Sequence, residues 1–182
     1  LLPGLRDADP PGFRAPFAAL VLAEVARTDR VSPWLSAGER EALVDAATTY
    51  VAGVRDYRGF IDGEGWRHGL AHGADFLMQL ALNPALERGS LDAILEAVAS
   101  QAAPPGAPAH VHGEAERLVR PVLFVLRRGL HDDADWAAWV RRVADPAPLP
   151  AWSAAYGAEA TLARRHNLRA VLLALHVALA ES

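Results

Sequence analysis

Residues 55–75 read RDYRGFIDGEGWRHGLAHGAD, and this stretch indicates both the fold and the candidate site. His68, His72 and Asp75 follow one another at spacings of four and three. On a helix that turns about 100° per residue, these three side chains share one face. Gln79 extends the same stripe, and the other residues from 70 to 82 are mostly apolar or small. We therefore predict a helix over residues 65–82 that is covered on most sides and carries one polar stripe, defined by His68, His72, Asp75 and Gln79.

The chain on both sides of this stretch reads as helices separated by proline and glycine, without a strand pattern. Further helices are predicted over residues 14–27, 36–54, 90–101, 114–129, 132–143 and 158–180. Ser36 and Glu39 form a capping box at the start of the second of these helices. Ser90 is the expected N-cap of another helix, and either Asp132 or Asp133 caps the one that ends at residue 143.

The longest apolar run, AVLLALHVALA, covers residues 170–180 near the end of the chain. It is interrupted by His176, it is preceded by Arg169, and it falls well short of the ~20 apolar residues that span a bilayer. We therefore predict a buried core helix here and no membrane span.

Taken in pairs, the predicted helices form hairpins that begin near residues 14, 66, 114 and 158, at intervals of 52, 48 and 44 residues. These intervals are close to the period of HEAT-type repeats. We predict an all-α fold, a HEAT-like α–α superhelix of helical hairpins, with a compact helical bundle as the alternative. Residues 1–182 are expected to form a single helical-repeat domain. Because the chain begins with Leu1 and not Met, we expect an N-terminal truncation.

The composition of the 182 residues is that of an ordinary globular protein, with 52% hydrophobic and 22% charged residues. A net charge of −4 makes nucleic acid or an anionic membrane an unfavourable partner. All 18 basic residues are arginine, and the absence of cysteine excludes disulfides, thiolate metal sites and a cysteine nucleophile. We expect a soluble, cytoplasmic protein.

Three motifs carry a family resemblance. The first is D-x-R-G-F…G-x-G-W-x-H-x-x-A-H-x-A-D, filled here by Asp56, Arg58, Gly59, Phe60, Gly63, Gly65, Trp66, His68, Ala71, His72, Ala74 and Asp75. The others are Glu116-Arg117-Leu118 with Arg127-Arg128 behind it, and His166-Asn167-Leu168-Arg169. With these motifs the chain resembles an uncharacterised bacterial family, domain of unknown function 2785 (DUF2785). The resemblance starts at about Phe13 and implies the C-terminal two-thirds of an all-helical, HEAT-like protein. It implies no activity.

Two imidazoles four residues apart on a helix are neighbours, about 5–6 Å apart at Cβ, and can share one metal ion such as zinc. His68 and His72 are therefore the candidate metal ligands, and Asp75 is expected to accept a hydrogen bond from Nδ1 of His72. Further ligands would come from elsewhere in the chain: Asp62, Glu64, His110, His112 or His166. No glutamate follows His68, so the H-E-x-x-H arrangement of metalloproteases is absent.

Two other interpretations of the stripe remain open. In the first, the stripe is a network in which every polar atom has a hydrogen-bond partner. It would hold neighbouring helices together and bridge to Arg58, Asn167 or main-chain carbonyls. Alternatively it lines a groove for a small polar or anionic ligand, with Trp66 and Arg58 beside a helix N-terminus. The candidate binding residues are Asp56, Arg58, Trp66, His68, His72, Asp75, His166 and Asn167.

Three arginine pairs, at residues 127–128, 141–142 and 164–165, would bind nucleic acid only if they aligned on one surface, and the intervening acidic residues favour a solvated face instead. We predict a binding or scaffold module rather than an enzyme. It would bind a small polar ligand or a protein partner, and it needs no cofactor. The alternative is a metal-dependent, hydrolase-like enzyme that uses His68 and His72.

Overall fold

The computed structural model describes residues 2–5 and 9–181. Within these ranges the chain forms seven α-helices, two short 3₁₀ helices (Pro3–Leu5 and Trp152–Gly157) and one hairpin of two-residue strands. The α-helices are α1 (Arg14–Val31), α2 (Ala37–Gly53), α3 (Gly69–Ala81), α4 (Arg88–Ala102), α5 (Glu114–Arg127), α6 (Asp133–Val143) and α7 (Glu159–Ala180). The prediction of an all-α fold is confirmed. No helix in the described part of the chain is long and apolar enough to cross a membrane.

The helices pack in two layers. In the first layer α1 contacts α3, α3 contacts α5 and α5 contacts α7. In the second layer α2 contacts α4 and α4 contacts α6, and the two layers meet through α2–α3 and α4–α5. Gly73 allows the closest approach between the layers, because a Cβ atom there would lie 2.7 Å from Cγ2 of Val51 and 3.0 Å from the ring of Tyr50. This packing leaves the opposite face of α3 for the stripe.

Two of the three predicted helix caps are confirmed. Ser36 and Glu39 form the expected capping box of α2, and Asp132 caps α6 in a second capping box with Asp135. The prediction for Ser90 is wrong, since α4 begins at Arg88 with Glu87 as its N-cap. Ser90 lies inside the first turn, where its main-chain N–H is already bonded to the carbonyl of Glu87.

The predicted start of the stripe helix at residue 65 is also wrong. Strand β1 (Phe60–Ile61) pairs antiparallel with β2 (Gly65–Trp66), and Phe60 lies opposite Trp66. Gly63 and Gly65 take positive φ angles of 77° and 88°, which close the turn between the strands. Trp66 therefore extends from a strand, and α3 starts three residues later at Gly69.

The apolar run over residues 170–180 is not the buried helix that its composition indicates. Val171 is buried, but Leu173 and Val177 are each 50% exposed. α7 is the last helix of the first layer, and its main helical neighbour is α5, so the other side of the helix faces solvent.

Candidate functional site

The stripe lies on the surface of the first layer, between α1 and α5. His72 and Asp75 belong to α3, whereas His68 is its N-cap and adopts a left-handed backbone with φ 54° and ψ 36°. The His72 ring packs against Phe17 of α1, with ring centroids 5.7 Å apart. On the other side, Asp75 contacts Arg117 of α5. His68, His72 and Asp75 are therefore brought together, but from a loop and a helix rather than from one helix.

A group of aromatic rings surrounds the two stripe histidines. Trp66 stacks on His68 with ring centroids 4.5 Å apart and an interplanar angle of 12°. His112 meets the edge of Trp66 at 5.6 Å and lies 6.5 Å from His68. Together these rings form what we call the aromatic cluster: Phe17, Phe60, Trp66, His68, His72 and His112. Trp66 is 47% exposed and Phe17 46%, so the cluster is open to solvent on its outer side.

His112 enters the cluster because Gly59, the residue before β1, carries no side chain. A Cβ atom on Gly59 would lie 2.1 Å from Cδ2 of the His112 ring. The main-chain N–H of His112 donates a 2.8 Å hydrogen bond to the buried carboxylate of Glu114, at the start of α5. His112 is only one of several alternative ligands in the sequence, and Phe17 is not among the candidate residues there. Neither residue could be placed beside the stripe by spacing alone.

Burial determines the protonation of the stripe histidines. It lowers the pKa of His68 and of His72 below the ordinary value, and the mutual repulsion of the two rings lowers that of His72 further. Both imidazoles are therefore neutral at pH 7 and available as donors, acceptors or metal ligands. Their Nδ1 atoms are buried, and neither has a hydrogen-bond partner among the described residues. Unpaired buried polar atoms are rare in folded proteins.

Asp75 is paired with arginine and not with histidine, which corrects the predicted bond to Nδ1 of His72. Arg117 donates to both carboxylate oxygens of Asp75, with an Nε–Oδ1 distance of 2.9 Å. Arg120 places Nη1 3.8 Å from the same carboxylate. Because two guanidinium groups of α5 lie at the Asp75 carboxylate, the imidazole of His72 has no carboxylate partner. The E-R-L motif contains Arg117, but its spacing does not reveal its partner.

Asp56 and Arg58 bind each other and the segment before α1 instead of lining the cluster. Arg58 donates to both carboxylate oxygens of Asp56 at 2.8 and 2.5 Å, and to the carbonyl oxygen of Pro10 at 3.3 Å. The neighbouring Arg67, which sequence reasoning missed, is 3% exposed and donates to the carbonyl of Pro11 at 2.6 Å. Its guanidinium carbon lies 4.4 Å from the centre of the Phe13 ring. These contacts hold the segment before α1 against the hairpin.

His166 and Asn167 contact the long loop between α4 and α5, and neither touches the stripe. Asn167 is fully buried, and its Oδ1 accepts a 2.7 Å hydrogen bond from the main-chain N–H of His110. Its amide nitrogen donates to the carbonyl of Pro108 at 2.9 Å. Nε2 of His166 lies 3.3 Å from the carbonyl oxygen of His110. Their link to the site is therefore indirect, through the loop that carries His112.

The geometry for a metal ion is incomplete. The rings of His68 and His72 are 6.0 Å apart at their centroids, so they remain the best candidate pair. Among the described residues, however, no group of three His, Asp or Glu side chains is placed to hold one ion. Asp75 is occupied by arginine, and the alternatives named from the sequence (Asp62, Glu64, His110, His112 and His166) do not complete such a group.

Each arginine pair has one member that is bonded within the fold. Arg128 donates hydrogen bonds to the segment that follows α3. Its acceptors are the main-chain carbonyls of Ala81, Asn83, Pro84 and Leu86. Arg164 is buried and donates to the carbonyls of Ala103, Asp145, Pro146 and Ala147. Arg142 pairs with Glu96 at 2.6 Å. One member of each pair thus has a structural partner.

Comparison with known proteins gives one match. The family model described as "Protein of unknown function (DUF2785)" matches residues 4–177, so the chain belongs to this family. The match begins before Phe13 and covers nearly the whole chain. Neither the curated proteins nor the solved structures include a significant match.

Proposed function

We propose that this member of the DUF2785 family is a binding or scaffold module, built as a HEAT-like superhelix of helical hairpins. The order of packing supports this architecture, since alternate helices of the chain stack within each of two layers. In this proposal the binding surface is the aromatic cluster together with Asp75, Arg117 and Arg120 on the outer face of the first layer.

One observation carries the proposal. Half-exposed rings of Trp66 and Phe17 lie directly beside two imidazoles whose Nδ1 atoms have no hydrogen-bond partner in the described chain. Aromatic side chains with a polar handle are the residue types that dominate binding surfaces, because they bury large areas and orient a partner. A satisfied structural network would have paired these imidazoles within the fold, as the chain has done for Asp75.

The charges at the surface suggest a small polar ligand or a polar segment of a protein partner. The side chain of Asp75 is only 13% exposed, and Glu114 is buried. The side chains of Arg117 and Arg120 are more exposed to solvent. The exposed part of this surface therefore combines aromatic faces with guanidinium groups. We propose a cytoplasmic location for this interaction.

The test is a ligand-observed NMR screen of a fragment library against the wild-type protein, Trp66→Ala and Trp34→Ala. Trp34 is 60% exposed and lies in the α1–α2 connection, so its loss is the matched control for removing an exposed indole. We expect fragments that bind the wild type and Trp34→Ala but lose binding to Trp66→Ala. A screen without such fragments, or with fragments that bind all three proteins equally, would contradict the proposal.

A metal-dependent, hydrolase-like enzyme is the second proposal. It is supported by the two unpaired Nδ1 atoms and by the 6.0 Å separation of the rings of His68 and His72. A zinc ion held by this pair would need water or a group from outside the described residues to complete its coordination. We rank it below the binding module because no carboxylate among the described residues is hydrogen-bonded to Nδ1 of either imidazole.

A further inference from the structure

The loop between α4 and α5, residues 103–113, contains a buried histidine that forms no part of the aromatic cluster. His110 is 6% exposed, and both of its ring nitrogens lack a hydrogen-bond partner among the described residues. Its ring packs against that of Tyr57, with the ring centroids 5.7 Å apart. Burial without a hydrogen-bond partner penalises the charged form of an imidazole much more than the neutral form.

The bonds that hold this loop closed do not use the His110 ring. Asn167 of α7 accepts a hydrogen bond from the main-chain N–H of His110 and donates one to the carbonyl of Pro108. Glu114 accepts a 2.8 Å hydrogen bond from the main-chain N–H of His112. A proton on the His110 ring therefore strengthens none of these bonds, and the closed loop would bury that charge without compensation.

The titratable groups on α5 and α7 do not replace a direct partner of the His110 ring. Burial lowers the pKa of His110, the negative charge of Glu114 opposes this effect, and the positive charge of His166 adds to it. Nε2 of His166 lies 3.3 Å from the main-chain carbonyl oxygen of His110 and not at its ring. The closed loop therefore binds a proton at His110 more weakly than an exposed histidine does.

The polar groups on the other neighbouring elements are bonded elsewhere. The hydroxyl of Tyr57 donates a 3.0 Å hydrogen bond to Oε1 of Gln101 on α4, and burial raises the pKa of this hydroxyl. Arg55 donates to the main-chain carbonyls of residues 52 and 54. Arg164 donates to the carbonyl of residue 103, at the other end of the loop. None of these groups changes its charge between pH 7.5 and pH 5.5.

We propose that this loop is a proton-sensitive gate of the aromatic cluster: at mildly acidic pH His110 takes up a proton, the loop opens, and His112 leaves the edge of Trp66. The inference rests on the proposed function, because it describes the regulation of binding at that surface. His112 follows His110 by two residues, which span at most about 7 Å of extended chain. The movement that exposes His110 to solvent therefore also withdraws the His112 ring from its place beside Gly59 and Trp66.

Proton linkage sets the sign and the size of the effect. An exposed histidine has an ordinary pKa of 6.5, and the pKa of His110 in the closed loop is lower. The open loop therefore binds the proton more tightly, so the ratio of open to closed loop rises as the pH falls below 6.5. While the closed loop stays unprotonated, this ratio rises ~10-fold between pH 7.5 and pH 5.5.

The first test is amide hydrogen exchange of the wild-type chain from pH 7.5 to pH 5.5, followed by NMR and corrected for the intrinsic exchange rate. We expect the protection of the His110 and His112 amides to fall ~10-fold over this range. The amide of Phe76, in the core of α3, reports global unfolding and should stay better protected at each pH.

Variants at position 110 separate this histidine from the others. His110→Phe keeps a ring against Tyr57 but cannot take up a proton, so the protection of the His112 amide should no longer depend on pH. His110→Gln serves as a second variant without a titratable group. His166→Gln is the matched control, and it should keep the pH dependence because the His110 ring is still present.

The second test follows binding at the cluster. Fragments that bind the wild type at pH 7.5 should bind more weakly at pH 5.5, and His110→Phe should recover part of this loss. Hydrogen exchange needs no ligand, so it tests the gate separately from the proposed binding function. Loop amides that are unprotected at pH 7.5, protection that does not change with pH, or a fall that persists in both variants at position 110 would overturn the proposal.

Discussion

Asn167 of α7 fixes the position of a loop whose other end lies in the aromatic cluster: its side chain accepts a 2.7 Å hydrogen bond from the N–H of His110. Two residues further on, His112 packs against the edge of Trp66. The last helix of the chain therefore positions a residue of a site formed by the middle of the chain.

Replacing Asn167 should release this loop. Asn167→Ala removes two buried hydrogen bonds and leaves the N–H of His110 unpaired, so we expect a loss of about 2 kcal/mol in the free energy of unfolding. Amide hydrogen exchange over residues 108–112 should accelerate by more than the global destabilisation explains. His176→Ala, on the exposed side of the same helix, is the control. Unchanged exchange in the loop would show that Asn167 does not hold it.

A methyl group at position 59 should displace His112 from the cluster. In Gly59→Ala the new Cβ would lie 2.1 and 2.6 Å from two ring atoms of His112, so the ring must leave its place. We expect the ring-current shifts of His112 in the NMR spectrum to collapse and fragment binding at Trp66 to weaken. Gly89→Ala, at a helical position with open space around it, should be neutral or slightly stabilising. If His112 keeps its ring-current shifts in Gly59→Ala, the close contact between position 59 and the His112 ring would be contradicted.

The pair formed by Asp75 and Arg117 should be coupled energetically. Both side chains are less than one-third exposed, and the guanidinium donates to both carboxylate oxygens. A double-mutant cycle with Asp75→Asn and Arg117→Gln, measured by urea unfolding, should give a coupling energy of about 1–2 kcal/mol. The same cycle with Glu24 and Arg27, an exposed pair on α1, should give at most ~0.5 kcal/mol. Equal coupling in both cycles would contradict this account.

The buried histidines should make the fold sensitive to mild acid. Burial lowers the pKa of His68, His72 and His110 in the folded protein below the ordinary value of 6.5. Below pH 6.5 the unfolded chain therefore binds protons that the folded chain does not, and the unfolding free energy must fall as the pH falls. We expect this decline between pH 7 and about pH 5, before most carboxylates titrate.

The histidine origin of this decline can be separated from other causes. His110→Gln should reduce its slope, since His110 is buried with both ring nitrogens unpaired among the described residues. His176→Gln, at an exposed position, should leave the slope unchanged. A stability that is flat from pH 7 to pH 5 would be incompatible with buried neutral imidazoles.

Metal analysis decides between the two proposed functions. We expect untagged protein, purified without chelators, to contain far less than one metal ion per chain. His68→Ala and His72→Ala should then differ from the wild type in stability and in fragment binding only. Near-stoichiometric zinc that is lost from both folded variants would instead favour the metal-dependent enzyme.

Local rules were sufficient to predict the helices with clear termini. Ser36 with Glu39 and Asp132 with Asp135 satisfy orphan N–H groups within their own first turns, so the sequence locates the first of these starts and narrows the second to Asp132 or Asp133. The start of α3 could not be found this way. The 3.6-residue pattern continues upstream into Trp66, but positive φ angles at Gly63 and Gly65 turn that segment into a hairpin. Helical periodicity carries no information about which glycines adopt such angles.

The stripe was predicted, but the residues that contact it were not. The spacing of residues along a sequence describes the faces of one helix and does not show which helix packs beside it. The α1 helix shows the same limit. Its bulky residues Phe17 and Val21 are each 46% exposed, whereas α1 turns Ala19, Ala23 and Ala26 inward. Small residues allow helices α1 and α3 to approach closely, and this leaves Phe17 at the surface beside His72. Burial here follows the distance between helix axes rather than hydrophobicity.

If the aromatic cluster is the proposed binding surface, the left-handed backbone of His68 sets stability against binding. A residue other than glycine in this conformation costs about 1 kcal/mol, so His68→Gly would relax the chain while deleting the ring on which Trp66 stacks. Selecting variants of this protein for heat resistance alone would therefore tend to remove a residue of the proposed binding surface. Directed evolution for higher thermal stability should therefore keep His68 and introduce stabilising substitutions at other positions.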